Sequence, residues 1–328
     1  MKKLIATVLA VMLMTALIGA CAEKAPATTP TPTPAATPES TPEATPETTP
    51  EVPSGITITD MTGREVTLDG PVESIVALSP ADCEILYALG AGDLIVGRGE
   101  YCDYPPEVMS KPSMETGAQL NIEQVLAMKP QVIIMTTMAQ STEQVDALDA
   151  SGTKVVVISA QDIAGTYQAI DIIGQLVGKT DEATALIDEM KQTFTDIKQK
   201  STGDGSKSIY FEVSPLEWGL WTAGSETFMD EIATMLGLKN AFADVVSWGA
   251  ISEEQVIERD PDFIVTIAMY FGEGVPPVDE ILGRAGWENM KAIKNKIVFN
   301  ADSNEVARPG PRLMDAAKSL YEFVYGEA

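Results

Sequence analysis

The sequence predicts an α/β fold: two doubly wound lobes with mainly parallel sheets. Three observations carry this. From residue 56 onward, short apolar runs alternate with helical patterns, and the runs are continuous rather than alternating. Strands buried on both faces read that way, and such strands belong to parallel sheets covered by helices. A long amphipathic stretch, "EATALIDEMKQTFTDIKQK", ends at Lys200, about midway along the folded region. Finally, "IEQVLAMKPQVII" from Ile122 and "EEQVIERDPDFIV" from Glu253 match at an offset of 131 residues. Two related lobes, each marked by the same helix–turn–strand, explain the repeat; the alternative is chance likeness of two common helix–Pro–strand units.

The elements follow in order. Lys2 and Lys3 precede the apolar run "LIATVLAVMLMTALIG", and "IGAC" follows. Residues 1–20 therefore read as a signal peptide, and Cys21 as a lipidated mature N-terminus. An uncleaved anchor is the other reading of the apolar run. Either way the remainder lies outside the cytoplasm. Residues 21–54, rich in Pro, Thr, Ala and Glu, have little to bury and form a semi-rigid tether. "GITITDMTGREVTLD" alternates around a "TG" turn and reads as a hairpin. "SIVALSP", "LIVGRG", "QVIIM" and "KVVVIS" are strands separated by the helices "ADCEILYALGAG", 121–128 and "TEQVDALDASG". "IAGTYQAIDIIGQLVG" and the long stretch to Lys200 are helices. The alternation then resumes with "SIYFEV", "ETFMDEIATMLG", the second repeat copy and "KIVFNAD", closing on the helix "GPRLMDAAKSLYEFVYG". The expected organisation is 55–178 for the first lobe, 179–200 for the connecting helix and 201–328 for the second lobe.

Composition excludes several functions. The chain has 22 basic and 48 acidic residues, net −26. Loss of residues 1–20 removes two lysines and no acid, leaving 20 against 48. Such a surface does not neutralise phosphates, so nucleic acid is not a partner. There is no histidine, which removes His-based triads and zinc sites and disfavours zinc or manganese capture. No catalytic constellation is visible, and no enzyme activity or resident cofactor is expected. Cys83 and Cys102 either pair outside the cytoplasm or remain two buried or reduced thiols.

The segments "SIVALSPADCEILYALGAGDLIVGRGEYCDYPPE", "LNIEQVLAMKPQVII", "LWTAG", "ISEEQVIERDPDFIV" and "ARPGPRLMDA" occur in one order across nearly the whole folded region. In these the chain resembles the cobalamin and iron-siderophore substrate-binding proteins of ABC importers. The resemblance implies two lobes joined by one long rigid helix, with a ligand in the cleft between them. It implies an ABC permease dimer with its ATPase as partner, docked through one surface glutamate per lobe. By motif these are Glu123 and Glu254, with Glu253 the neighbouring candidate. Placement near a helix N-terminus is by itself a sufficient electrostatic reason for either carboxylate.

Cleft residues are expected on loops at the carboxyl ends of strands. These are Tyr101 and Tyr104 after "LIVGRG", Phe211, Trp218 and Trp221 after the first strand of the second lobe, Trp248 before the second repeat copy, and Tyr270 after its strand. Each has the alternative of a core or partly exposed aromatic. Together they suit a broad apolar ligand held between aromatic faces. "EYCDYPP", Trp221 and Trp248 resemble the cobalamin binders most, whereas "METGAQ" lacks the aromatic usual before the "LNIEQV" helix. Arg98, Arg308 and Arg312 are the cations near the expected cleft loops; the two in "ARPGPR" are as well explained structurally. The resemblance with so few cations favours cobalamin or a related corrinoid as the metal chelate, with ferric siderophore or haem as the alternative. A ligand sensor or scavenger without a permease is a third reading.

Overall fold

The computed structural model describes residues 55–137 and 141–326. Cys21, the expected leader and the tether lie outside the described residues. All elements below belong to one compact unit, Glu51–Ala328.

β1 (Ile56–Thr59) and β2 (Glu65–Leu68) form the expected antiparallel hairpin. Its buried face is Ile58, Val66 and Leu68. Asp60 closes the turn, its carboxylate accepting from the Thr62 and Arg64 amides. The Asp60 Oδ2 also accepts from the Val157 amide at 3.2 Å, seating the hairpin on the first sheet.

That sheet is built from β3 (Ile75–Ala77), α1 (Pro80–Ala88), β4 (Ile95–Gly99), β5 (Ser113–Met114), α2 (Ile122–Ala127), β6 (Val132–Met135), α3 (Thr142–Ala150) and β7 (Lys154–Val157). The order is β5-β4-β3-β6-β7, parallel throughout. Period two sends alternate residues of β6 to opposite cores: Val132 and Ile134 to one, Ile133 and Met135 to the other. All four are fully buried, which is why the strand reads as an unbroken apolar run.

α4 (Ile163–Leu176) turns into α5 (Thr180–Lys200). The pair packs so closely that a Cβ at Gly174 would lie 2.5 Å from Ala183 Cβ. α5 has 21 residues, about 31 Å of helix. Its buried stripe is Ala183, Met190, Phe194 and Ile197. It packs on α4 on one side, and on α6 and α11 of the second half on the other.

The second sheet follows with β8 (Ser208–Ser214), β9 (Trp221–Ala223), α6 (Phe228–Met235), β10 (Lys239–Asn240), β11 (Trp248–Ala250), α7 (Glu253–Arg259), β12 (Phe263–Thr266), α8 (Pro277–Leu282), α9 (Lys291–Asn295), β13 (Val298–Asn300), α10 (Ser303–Val306) and α11 (Leu313–Tyr325). Its order is β11-β9-β8-β12-β13, with β10 also parallel to β8. β8, β12 and β13 are parallel, but β9 runs antiparallel to both β8 and β11. The sequence does not predict this ribbon, because strands of three residues show no period.

The repeat is structural. The α2 N-cap Asn121 and the α7 N-cap Ser252 each accept a hydrogen bond from the amide three residues on. Lys129 and Asp260 both take left-handed backbone, φ 51° and 42°, ahead of Pro130 and Pro261. β6 and β12 then occupy equivalent slots, each beside the first strand of its sheet.

Candidate functional site

Segments that follow β3, β4 and β7 of the first sheet meet segments of the second half. Arg308 and Arg312, which follow α10, reach Glu84 on α1. Arg308 Nη1 donates to Glu84 Oε1 at 2.9 Å and to Asp103 Oδ1 at 2.7 Å. Arg312 donates to both Glu84 oxygens at 3.0 and 2.6 Å, and its guanidinium lies 4.1 Å from the Tyr104 ring centre. The Trp248 indole donates to Gln161 Oε1 at 2.9 Å, and the Phe228 amide donates to the Gln161 carbonyl at 3.0 Å. The Ile163 amide donates to Glu231 at 2.6 Å.

Between these contacts lies a cavity of about 180 Å³, walled by Ser79–Asp82, Thr136, Ile158 and Ala160 on one side and Ala307–Pro309 on the other. It is smaller than the roughly 300–1,000 Å³ of a small-molecule site, and none of the expected cleft aromatics lines it. A larger groove of about 500 Å³ lies between α4, α5 and α6, lined by Tyr167, Phe194 and Met235. None of the expected cleft aromatics lines it.

The expected cleft aromatics are placed as follows. Tyr101 (65 % exposed) and Tyr104 come from the loop after β4, Trp218 (74 % exposed) from the turn after β8, and Tyr270 from the segment after β12. Trp221 and Trp248 are not on loops. They lie on β9 and β11, paired with Ala250 and Ala223, so both rings project from one face of the ribbon as diagonal neighbours. Gly224 lets the ribbon close: a Cβ there would lie 1.9 Å from the Val245 carbonyl oxygen. Trp248 is half-buried, its ring 5.5 Å from Phe228.

Two expectations are corrected. Phe211 is fully buried in β8, inside the strand rather than after it, and is core. Arg98 is also buried. Its Nη1 donates to the carbonyls of Gly99, Glu100 and Cys102. It shapes the Tyr101–Tyr104 loop from beneath and does not offer charge to the cleft. Arg308 lines the cavity, and its charge is spent on Glu84 and Asp103.

Three features escaped the sequence reading. Phe271 and Met269, beside Tyr270, are strongly exposed, Phe271 at 87 %; extending the strand-end rule by one residue would have found them. Glu84 is buried, and no local pattern shows its two arginines. Asp82 lines the cavity, is fully buried, and its Oδ2 has no hydrogen-bond partner among the described residues. Burial pushes its carboxyl up to about 8, so it is largely protonated at neutral pH.

The docking candidates lie elsewhere. Glu123 and Glu254 are both exposed, at the second residue of α2 and α7. Ser252, and then the helix backbone, hold the Glu254 carboxyl below its ordinary range. Glu253 accepts from the Trp287 indole at 3.0 Å and is thereby occupied.

A profile of the periplasmic binding protein family matches residues 75–305. The chain is 33% identical over 276 residues to the uncharacterized ABC transporter substrate-binding lipoprotein YvrC of Bacillus subtilis (strain 168), covering 82% of this chain and 85% of that one. It is 29% identical over 252 residues to the vitamin B12-binding protein of Salmonella choleraesuis, covering 75% and 88%. Among solved structures, a possible iron-binding (periplasmic solute-binding) protein of Staphylococcus epidermidis superposes with TM-score 0.65 at 32% identity, covering 77% and 99%.

Proposed function

Because the chain belongs to the periplasmic binding protein family, whose members bind rather than catalyse, we propose that it is an extracytoplasmic lipoprotein that captures a metal chelate for an ABC importer. The observation that carries the ligand class is the rim of exposed rings from both halves: Tyr101, Tyr104, Trp218, Trp221 and Tyr270. Broad aromatic faces suit a conjugated macrocycle. The chelate is cargo, and the protein needs no resident cofactor.

Cobalamin or a related corrinoid is the favoured ligand. Arg308 and Arg312 are committed to carboxylates and Arg98 to backbone carbonyls, which leaves little charge for an anionic chelate. The likeness to a vitamin B12-binding protein supports this. The likeness to a possible iron-binding protein supports the second reading, a ferric siderophore or haem. Glu123 and Glu254 then meet the two subunits of the permease dimer, with its ATPase behind them. Lipid on Cys21 holds the protein to the membrane, a reading supported by the lipoprotein relative. A sensor or scavenger without a permease is less favoured.

The test is absorbance titration and native mass spectrometry of the purified protein with cyanocobalamin, haemin and a ferric hydroxamate. A one-to-one cyanocobalamin complex is expected. Preference for haemin or the hydroxamate establishes the second reading, and binding of none of the three overturns the chelate reading.

A further inference from the structure

Cys83 lies in α1 and Cys102 in the loop after β4, and both side chains are fully buried. Their sulfurs converge on one backbone atom. Cys83 Sγ is 3.7 Å and Cys102 Sγ 3.8 Å from the Ala77 carbonyl oxygen, at the carboxyl end of β3. The neighbouring Cys102 thiol, and then burial, hold the Cys83 thiol well above its ordinary range. Both are free thiols in this structure.

Their neighbours matter. Cys83 sits between Asp82, which lines the cavity, and Glu84, which takes both arginines. Cys102 sits between Tyr101, on the rim, and Asp103, which takes Arg308. The Cys102 carbonyl is one of the three that Arg98 holds. The two sulfurs therefore lie where α1 meets the Tyr101–Tyr104 loop.

We propose that Cys83 and Cys102 form a disulfide that fastens the Tyr101–Tyr104 loop to α1. The inference does not depend on the ligand. The oxidant is an oxidised dithiol. One thiolate attacks its disulfide, giving a mixed disulfide and releasing one sulfur of the oxidant; the second thiolate then displaces the other. One protein S–S bond forms as the S–S bond of the oxidant breaks. Two electrons pass to the oxidant, and the two thiol protons end on its sulfurs. Burial and the raised thiol make the folded dithiol unreactive, because the thiolate is the nucleophile. The bond therefore forms while the chain folds. Before the bond exists, a dithiol in the same place packs as two small apolar groups.

The experiment uses the full chain in a Cys21→Ser background, so that two thiols remain. It is unfolded with reductant, refolded in reduced and oxidised glutathione, then denatured and alkylated. The expected product is 2 Da lighter than the dithiol, takes no alkyl group, and yields one cross-linked peptide pair. Its melting temperature should exceed that of the reduced form by on the order of 5 °C, and reductant should remove the difference. Cys83→Ser and Cys102→Ser should show no such shift. Two alkylated cysteines across the whole redox range overturn the proposal. A disulfide that forms without raising the melting temperature overturns the fastening role.

Discussion

Trp221 and Trp248 project from the same face of one ribbon but differ in what holds them. Trp221 is exposed, whereas Trp248 is half-buried against Phe228 and bonded to Gln161. Each Trp→Ala change should cost about 1–3 kcal/mol of chelate affinity. Only Trp248→Ala should also lower stability, because it alone loses core packing and a buried hydrogen bond. Titration and thermal melts of both variants check this; wild-type affinity in either returns that ring to a structural role. Asp82 gives a second prediction. Its folded carboxyl, raised to about 8 by burial, holds a proton that the unfolded chain releases near pH 4. Its contribution to stability is therefore full below about pH 4, declines as pH rises toward 8, and then levels off. Asp82→Asn should flatten this slope and stabilise the protein at pH 8, on the order of a few kcal/mol. Urea unfolding between pH 5 and 8 decides; parallel curves for the two proteins would refute it.

Elements, rather than residues, set the docking and strapping geometry. α2 and α7 are short, capped by Asn121 and Ser252, and present Glu123 and Glu254 at the same position. Neither glutamate is among the cavity-lining residues. Glu123→Ala and Glu254→Ala should each slow uptake in cells and leave chelate affinity of the isolated protein unchanged. Reversal to Arg should be worse than Ala if the proposed permease contact uses the carboxylate charge, since it then sets like charges together. Normal uptake by the double Ala variant would leave only the helix-dipole role. α1 is tied to the second half by a different contact. Glu84 is buried and shared by Arg308 and Arg312. Glu84→Gln strips the shared charge while Asp103 still holds Arg308. It should cost about 3–5 kcal/mol, the range for breaking a buried charge contact. Chemical denaturation of the variant measures it.

At the scale of the whole molecule, the two sheets are bridged by α5, by the Glu84 strap, and by the contacts of Gln161 and Ile163 with Trp248, Phe228 and Glu231, among others. A continuous helix resists the large hinge bending available to flexible crossings. Scattering profiles with and without ligand should nearly superimpose, and a large fall in radius of gyration on binding would reject this. Much of this architecture is legible in the chain alone. The two parallel β-rich halves, the long midway helix and the equivalence of α2–β6 with α7–β12 all rest on local period, on breakers such as Pro130 and Pro261, and on a repeat at constant offset. The exposed tyrosines and Trp218 follow from one topological rule about strand ends. Other features had no local trace. Phe211 looks like any rim aromatic until the register of β8 buries it. Arg98 and Arg308 look like ligand cations until folding brings backbone carbonyls, Glu84 and Asp103 to them. The β9–β11 ribbon, the protonation of Asp82 and the meeting of Cys83 with Cys102 are likewise tertiary decisions. Period and propensity act over a few neighbouring residues, whereas burial, charge pairing and thiol contact depend on partners that only chain closure brings together.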